Sequence, residues 1–334
     1  MLRLKPPEFQ RLIQAREYEA IYGGGEANVA ASLSILGLPA AFITRIPANE
    51  IGDSCVGFLR QYGVDTRSVL RGGDRLGIYY LEAGAAQRAS KVIYDRTGSS
   101  FASLEPGMVD WREGFTNSDW FHWTGITPAV SESAAKVCEE AIQVAKEMGL
   151  TISCDLNYRA KLWNWTKTPG KIMENLVRQC EIAIGNEEDA EKVFGIQAPG
   201  IDINSGKVDA NNYLTVCEAL VKKLPNLKKV AITLRGSISA SHNTWSGVLW
   251  SDGKFLVAPT YDILTIIDRV GAGDAFSAGL IYGLKMYSGD NQKALNFAVA
   301  ASCLKHSIPG DFNLVTVAEV EALMAGEASG RVKR

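Results

Sequence analysis

From about Asn117 onward the chain alternates two hydrophobic patterns. Short runs that are apolar throughout (residues 120–124, 150–154, 182–184 and 230–234) are separated by stretches with apolar residues every three or four positions (134–148, 187–194 and 213–223). The first pattern predicts strands buried on both faces and the second predicts helices that bury one stripe. In the first helix Ala134, Val137, Cys138, Ala141, Ile142, Ala145 and Met148 recur at helical spacing, and Gly149 stands where a terminating glycine belongs. The alternation implies an α/β fold: a doubly wound, mostly parallel sheet with helices on both faces. Two segments break the rhythm. Residues 2–22 and 77–96 read as extended and partly alternating, the second as a hairpin with a glycine- and alanine-rich turn, and both stand off the main body as a small sheet. No internal repeat, low-complexity tract or long linker divides the chain, so residues 1–334 read as one domain with a small appendage.

Composition narrows the function classes. With 334 residues, 46% of them hydrophobic and 22% charged, the chain can bury a large core. A net charge of -2 offers no basic field for nucleic acid. The six cysteines are scattered without a C-x-x-C pair, which suggests neither a disulfide framework nor a zinc site. The opening residues hold no apolar core of signal-peptide length and no uncharged run approaches a membrane span. The expectation is a cytoplasmic protein acting on a small diffusible substrate.

The stretch Asp268-Arg269-Val270-Gly271-Ala272-Gly273-Asp274-Ala275-Phe276-Ser277-Ala278-Gly279 carries the most specific chemistry. Residues 263–267 are apolar and β-branched enough for a strand, and 275–286 have helical spacing without proline. Gly271 and Gly273 then fall in a strand-to-helix turn. Backbone N–H groups at a helix start lack intrahelical partners and carry roughly half a positive charge, so a turn bare of side chains can cradle a phosphate. Asp274 stands beside it as a candidate base. On these residues alone, an acid that only caps the helix is an equally good account.

The whole ordered string resembles the second signature of the ribokinase-like (PfkB) carbohydrate kinases. The resemblance implies that Asp274 is the general base and that Gly271, Ala272 and Gly273 form the anion hole. Gly23-Gly24-Gly25-Glu26-Ala27-Asn28-Val29-Ala30 resembles the family's first signature, which implies that Gly24 lies against the sugar and Asn28 hydrogen-bonds its hydroxyls. By itself this stretch also reads as a turn before a helix over residues 29–36. Four pieces are similar to the branch of the family that phosphorylates 2-keto-3-deoxy sugar acids: Tyr22 to Asn28, Tyr94-Asp95-Arg96-Thr97-Gly98-Ser99, Asp155-Leu156-Asn157-Tyr158-Arg159-Ala160-Lys161-Leu162-Trp163, and His306 to Asn313. They imply a lid of about residues 1–22 and 75–98, and a substrate pocket lined by Tyr79, Tyr94, Arg96 and Arg159. A sugar acid carries a carboxylate, which a planar guanidinium grips through two charge-assisted hydrogen bonds. The bland alternatives are surface ion pairs for the arginines and lid packing for the tyrosines.

On the nucleotide side, Gly185-Asn186-Glu187-Glu188-Asp189 resembles the family's N-x-x-E motif with an aspartate in the fourth place. The resemblance implies that Asn186 meets the nucleotide and that Asp189 acts indirectly on magnesium, while Glu187 and Glu188 also suit plain first-turn acids. Thr233, Arg235 and Gly236 correspond to the loop at the phosphates and ribose, although the family's second glycine is Ser239 here. Residues 298–305 are similar to a helix that walls adenine, or are simply a close-packed alanine-rich helix. The implied reaction is ATP- and Mg²⁺-dependent phosphorylation of the C6 hydroxyl of a sugar acid. Its rivals are the same chemistry on fructose, 5-keto-2-deoxygluconate or an epimeric acid, and a non-catalytic sugar-binding regulator. A NAD-dependent dehydrogenase does not fit, because Gly23-Gly24-Gly25 lacks the dinucleotide spacing. An exposed lid face would favour pairing into a homo-oligomer. Family members also carry one more buried strand before the segment that begins here at Met1, and a sheet without it would show an unpaired edge.

Overall fold

A computed structural model describes residues 1–186, 188–197 and 209–327. The chain opens with β1 (Leu2–Lys5), β2 (Glu19–Tyr22), α1 (Gly25–Ile35), β3 (Thr44–Ile46), α2 (Glu50–Gln61) and β4 (Val69–Arg71). β5 (Ile78–Glu82), β6 (Lys91–Asp95), α3 (Trp111–Gly114), β7 (Trp120–Thr124), α4 (Ile126–Val130), α5 (Glu132–Glu147) and β8 (Thr151–Asp155) follow. Then come α6 (Pro169–Val177), β9 (Ile182–Asn186), α7 (Asp189–Phe194), α8 (Asn212–Lys223), β10 (Lys229–Ser237) and β11 (Asn243–Ser251). The described chain closes with β12 (Lys254–Val257), β13 (Tyr261–Ile263), α9 (Ala272–Met286), α10 (Asn291–Lys305) and α11 (Val317–Met324).

The large sheet runs β12-β11-β10-β9-β8-β7, with β13 also paired to β11. β7, β8, β9 and β10 are parallel, and the β11 to β13 contacts are antiparallel. Strand residues alternate between two cores, as the period of two requires. Ala183, Val230 and Ile232 pack toward α5, α6 and α8 through Ile142, Leu176 and Leu220. Ile182, Ile184 and Ala231 pack the other way, toward α9 and α10 through Phe276, Leu280 and Leu295. Both faces are thus covered, which is why these strands carry so few polar residues. The register sets Thr124 beside Asp155, Asp155 beside Ile184, and Asn186 beside Thr233, so the carboxyl ends of β7 to β10 form one rim.

The second sheet, in the order β2-β1-β5-β6, is built from the two segments that broke the alternation. β7 ends the large sheet on one side. Beside it, between α1, α5 and α9, lies a cavity of about 600 Å³, and the buried His122 Nε2 and Trp123 Nε1 on this strand have no hydrogen-bond partner among the described residues. Burial holds His122 neutral, with a pKa pulled down to about 4. All six cysteines are free, and five are buried as small core residues. No described helix is long and apolar enough to cross a membrane.

Three local expectations are corrected. α1 begins at Gly25 rather than 29, which puts Asn28 in its first turn. The run 263–267 is not a strand: β13 stops at Ile263, Leu264 and Ile267 are exposed, and Ile266 and Ile267 donate to two different loops, at Ser241 and His306. Residues 233–237 continue β10 instead of forming a loop, because β11 pairs them to the end. Of the two readings of residues 298–305, close packing describes Ala298 to Ala301, which are fully buried.

The α9–α10 crossing is close because two glycines let it be. A Cβ at Gly279 would stand 2.8 Å from Ala298 Cα, and one at Gly283 would stand 2.6 Å from Ala294 Cα. Gly283→Val should therefore cost about 1–3 kcal/mol by overpacking. The expected result is a lower midpoint in denaturant unfolding, and an unchanged midpoint would show that the helices can part freely.

Candidate active site

At the carboxyl rim, a cleft of about 340 Å³ opens between the large sheet, α9 and the small sheet. Its floor is the start of α9. Gly271 caps this helix in the left-handed region at φ 83°, and a Cβ there would overlap the Asp311 carbonyl, so only glycine fits. The first i→i−4 bond of α9 runs from Ala275 N to Gly271 O at 2.8 Å, which leaves the amides of Gly273 and Asp274 without intrahelical acceptors. Gly273 has open space where a side chain would be. The turn therefore presents bare N–H groups to the cleft at the positive end of a helix, which suits an anion.

Asp274 meets a second helix start. Asn28 Nδ2 donates to Asp274 Oδ2 at 2.6 Å, and Asn28 Oδ1 accepts from Gly24 N at 3.2 Å, which fixes the amide's orientation. Gly25 brings α1 so near that a Cβ would stand 3.6 Å from Asp274 Oδ1. Glu26 fastens α1 to the end of β7 by accepting from Thr124 N, Thr124 Oγ1 and Thr127 Oγ1. Burial pushes the Asp274 carboxyl up to about 7; the Asn28 hydrogen bond and Arg159 pull it down, while Asp311 and Glu26 push it up. A carboxyl tuned to that range is suited to accept a proton near neutral pH.

The small sheet supplies one wall. Tyr79 and Tyr94 are cross-strand partners on β5 and β6 with ring centroids 6.4 Å apart, and the Arg96 guanidinium lies 4.7 Å from the Tyr94 ring centroid. The Tyr79 hydroxyl is already committed, donating to Asp311 Oδ2 at 2.7 Å. Opposite stands the loop after β8. Asp155 Oδ1 accepts from Asn157 N, and Asn157 takes a left-handed φ of 37°, a conformation asparagine tolerates and one that turns the chain toward Arg159. Arg159 Nη1 donates to the neighbouring Tyr158 carbonyl. Among the described residues, no carboxylate lies within ion-pair distance of Arg96 or Arg159, and Arg96 Nε and Asn157 Oδ1 are buried without partners. Unpartnered buried polar atoms are costly, and here they line a cleft.

Asn186, Asp189, Thr233 and Arg235 lie along the other half of the cleft. Gly236 does not: β10 runs through it, paired with Thr244, and buries it in the sheet. Asn186 Oδ1 accepts from the amides of Glu188 and Asp189, and Asp189 accepts from Tyr158 N and Asn186 N, which ties the loops after β8 and β9 together. Glu187 lies outside the described residues. The loop joining β10 and β11 reaches the small sheet through main chain: Ala240 N donates to Ala86 O at 2.8 Å, and Ala86 N donates to Ser241 Oγ at 3.3 Å. No group of three or more metal-ligating side chains is found among the described residues.

Three site residues escaped the sequence reading. Asp155 lines the cleft, and its carboxyl is held well above the usual range by burial and then by Asp189 and Asp274. Asn157 and Asp311 also line it. All three lie in strings the resemblance had singled out, but no periodicity marks a polar residue in a loop as inward-facing.

The Asp274 pKa has a consequence for stability. The folded value, about 7, exceeds the ordinary aspartate value of 3.8, so between them the folded state binds more protons and stability falls as pH rises. Asp274→Asn should therefore melt higher than the native chain, by a margin that widens from pH 4 to about pH 7 and then levels. Thermal melts across that range measure it, and a margin independent of pH would remove the buried charge as its cause.

The comparisons with known proteins agree with this geometry. The family model described as pfkB family carbohydrate kinase matches residues 2–313. A 2-dehydro-3-deoxygalactonokinase of Haloferax volcanii is 30% identical over 99% of this chain and 96% of its own. A 2-dehydro-3-deoxygluconokinase of Thermoproteus tenax is 27% identical over 88% of this chain and 82% of its own. The crystal structure of 2-dehydro-3-deoxygluconokinase from Thermotoga maritima superposes with a TM-score of 0.92 at 46% identity, covering 98% of this chain and 97% of that one. With the family model matched over residues 2–313 and the fold shared with a solved member, the chain belongs to the pfkB family of ribokinase-like carbohydrate kinases.

Proposed function

We propose that this kinase transfers the γ-phosphoryl group of ATP to the C6 hydroxyl of 2-keto-3-deoxygluconate, giving 2-keto-3-deoxy-6-phosphogluconate. The observation that supports the acid specificity is the pair of arginines, Arg96 and Arg159, that face the cleft with no carboxylate of a described residue within ion-pair distance. Two guanidiniums and the unpartnered Asn157 Oδ1 form a receptor for a carboxylate with hydroxyls beside it. Gly24, Asn28 and Tyr94 complete the sugar side, with the small sheet acting as the lid that excludes water, while Asn186, Thr233 and Arg235 hold the nucleotide. The name of the Haloferax relative supports the galactonate epimer as a second reading.

In the reaction, Asp274 takes the proton of the acceptor hydroxyl as that oxygen forms its bond to phosphorus and the bond to the ADP oxygen breaks. The amides of Gly273 and Asp274, with Arg235, stabilise the charge on the moving group, while the Ala272 amide is held by the Arg269 carbonyl. Magnesium, when bound, would neutralise charge at the phosphates. Asp189 would act on it only indirectly, since both its oxygens already accept backbone N–H groups, and Asp155 is a further carboxyl lining the cleft.

Asp274→Asn should lower kcat by about 10²- to 10⁴-fold with ATP binding retained, and the native kcat should fall as pH drops through about 7 because the base becomes protonated. ADP release followed from pH 5 to 9 tests both. Substantial turnover by the variant would remove Asp274 from that role. Loss of one charge-assisted contact in Arg159→Ala should cut kcat/KM for the sugar acid roughly 10- to 100-fold while leaving any activity on fructose within about threefold. A panel of 2-keto-3-deoxygluconate, its galactonate epimer, 5-keto-2-deoxygluconate and fructose measures this, and equal losses on acid and neutral sugar would overturn the assignment.

A further inference from the structure

Beneath the Gly271 turn lies a buried charge cluster that the reaction chemistry leaves unused. Arg3, on β1 of the small sheet, is 1% exposed. Its Nη2 donates to Asp268 Oδ2 at 2.7 Å, and its Nη1 lies 2.9 Å from Asp311 Oδ1 in an ion pair whose angle does not make a hydrogen bond. Asp268 opens the signature turn: Oδ1 accepts from Val270 N and Oδ2 from Gly310 N, each at 3.1 Å. Lys305, fully buried, donates to the Ile308 carbonyl at 3.0 Å and stands 3.5 Å from the Asp268 carbonyl.

Asp311 joins the cluster to everything around it. Its Oδ2 takes the Tyr79 hydroxyl, its carboxylate leaves no room for a side chain at Gly23, and its carbonyl leaves none at Gly271. The lid wall, the sugar-binding turn and the phosphoryl-transfer turn therefore meet at one guanidinium and the two carboxylates it bridges. A buried ion pair is weak evidence for stability, since burying the charges costs about as much as their attraction returns, and fixing geometry is its better-attested use.

We propose that Arg3 is a positioning residue of the phosphoryl transfer: by clamping Asp268 and Asp311 it fixes the Gly271–Asp274 turn against the small sheet, so that base and anion cradle are correctly placed when the lid strand β1 is seated. Arg3 touches neither substrate, and it acts through Asp268 on the backbone of Val270 and through Asp311 on Gly271. The inference rests on the reading of Asp274 and its turn as the reacting centre. It adds that the centre's geometry is set by a residue 265 positions in sequence from Asp268, where the turn begins.

The chemistry of the two ends makes this testable. Lysine keeps the charge but reaches one carboxylate as a point donor and cannot form the fork that bridges two. A turn displaced by about 1 Å can cost up to roughly 100-fold in rate while ground-state contacts survive. Arg3→Lys should therefore lower kcat about 10- to 100-fold with KM for ATP and for the sugar acid each within about threefold. The double variant Arg3→Met with Asp311→Asn removes one charge of each sign, and it should recover melting temperature relative to Arg3→Met without recovering kcat. Steady-state kinetics and thermal melts on the full chain give both readings. A recovery of kcat in step with stability, or a rise in KM at unchanged kcat, would overturn the proposal. Asp274→Asn in the same assay separates this from the parent reading, since retained turnover there would sink the base assignment whatever Arg3 does.

Discussion

The 2.6 Å hydrogen bond from Asn28 to Asp274 joins residues 246 apart in sequence, and much of the molecule is arranged around it. A carboxylate withdrawn from bulk water has to be compensated, and here two helix starts and one amide provide that compensation. Both helices must approach closely, which demands glycine at 271, while a Cβ at Gly25 would stand a tight 3.3 Å from Thr124 Cγ2. Both must also be held, α1 by Glu26 on the end of β7 and α9 by its packing on α10. The compensation is deliberately incomplete. Full solvation would leave the acid too weak a base near neutral pH, and burial without Asn28 would leave it protonated there.

The large sheet contributes rigidity and the small one contributes enclosure. Because the strands are covered on both faces, polar groups reach the cleft at their carboxyl rim, where Asp155 and Asn186 end their strands and Thr233 stands level with Asn186 on β10. The small sheet has one face on the cleft, so Tyr79 and Tyr94 can line it while Ile93, between them in the chain, is exposed. Aromatic walls with arginines between them give a site that is apolar along the carbon chain of a substrate and charged at its end.

Much of this was legible in the sequence because it depends on local chemistry. The strand and helix alternation from 120 to 234, the off-body sheet and the turn at Gly271 each follow from period, composition or bare glycines, and Asn28, Tyr79, Tyr94, Arg96, Arg159 and Asp274 come together in one cleft. The misses have a common cause. Residues 263–267 look like a strand because they are apolar, but apolar residues also serve in exposed links between elements. Gly236 looks like loop because glycine favours turns, yet β11 supplies a partner that no local signal announces. The Arg3, Asp268 and Asp311 cluster was invisible because a buried ion pair between distant segments leaves no periodic trace.

The contact between Ala86 and the loop after β10 is made by peptide groups on one side and by a peptide group and a serine hydroxyl on the other. Its principal bond, between the Ala240 amide and the Ala86 carbonyl, is blind to side-chain identity and sensitive to chain length. Replacements at the hairpin tip would pass almost unnoticed, whereas one residue inserted or deleted between β5 and β6 would shift the tip out of reach. Evolutionary drift at this junction should therefore appear in composition far more readily than in spacing.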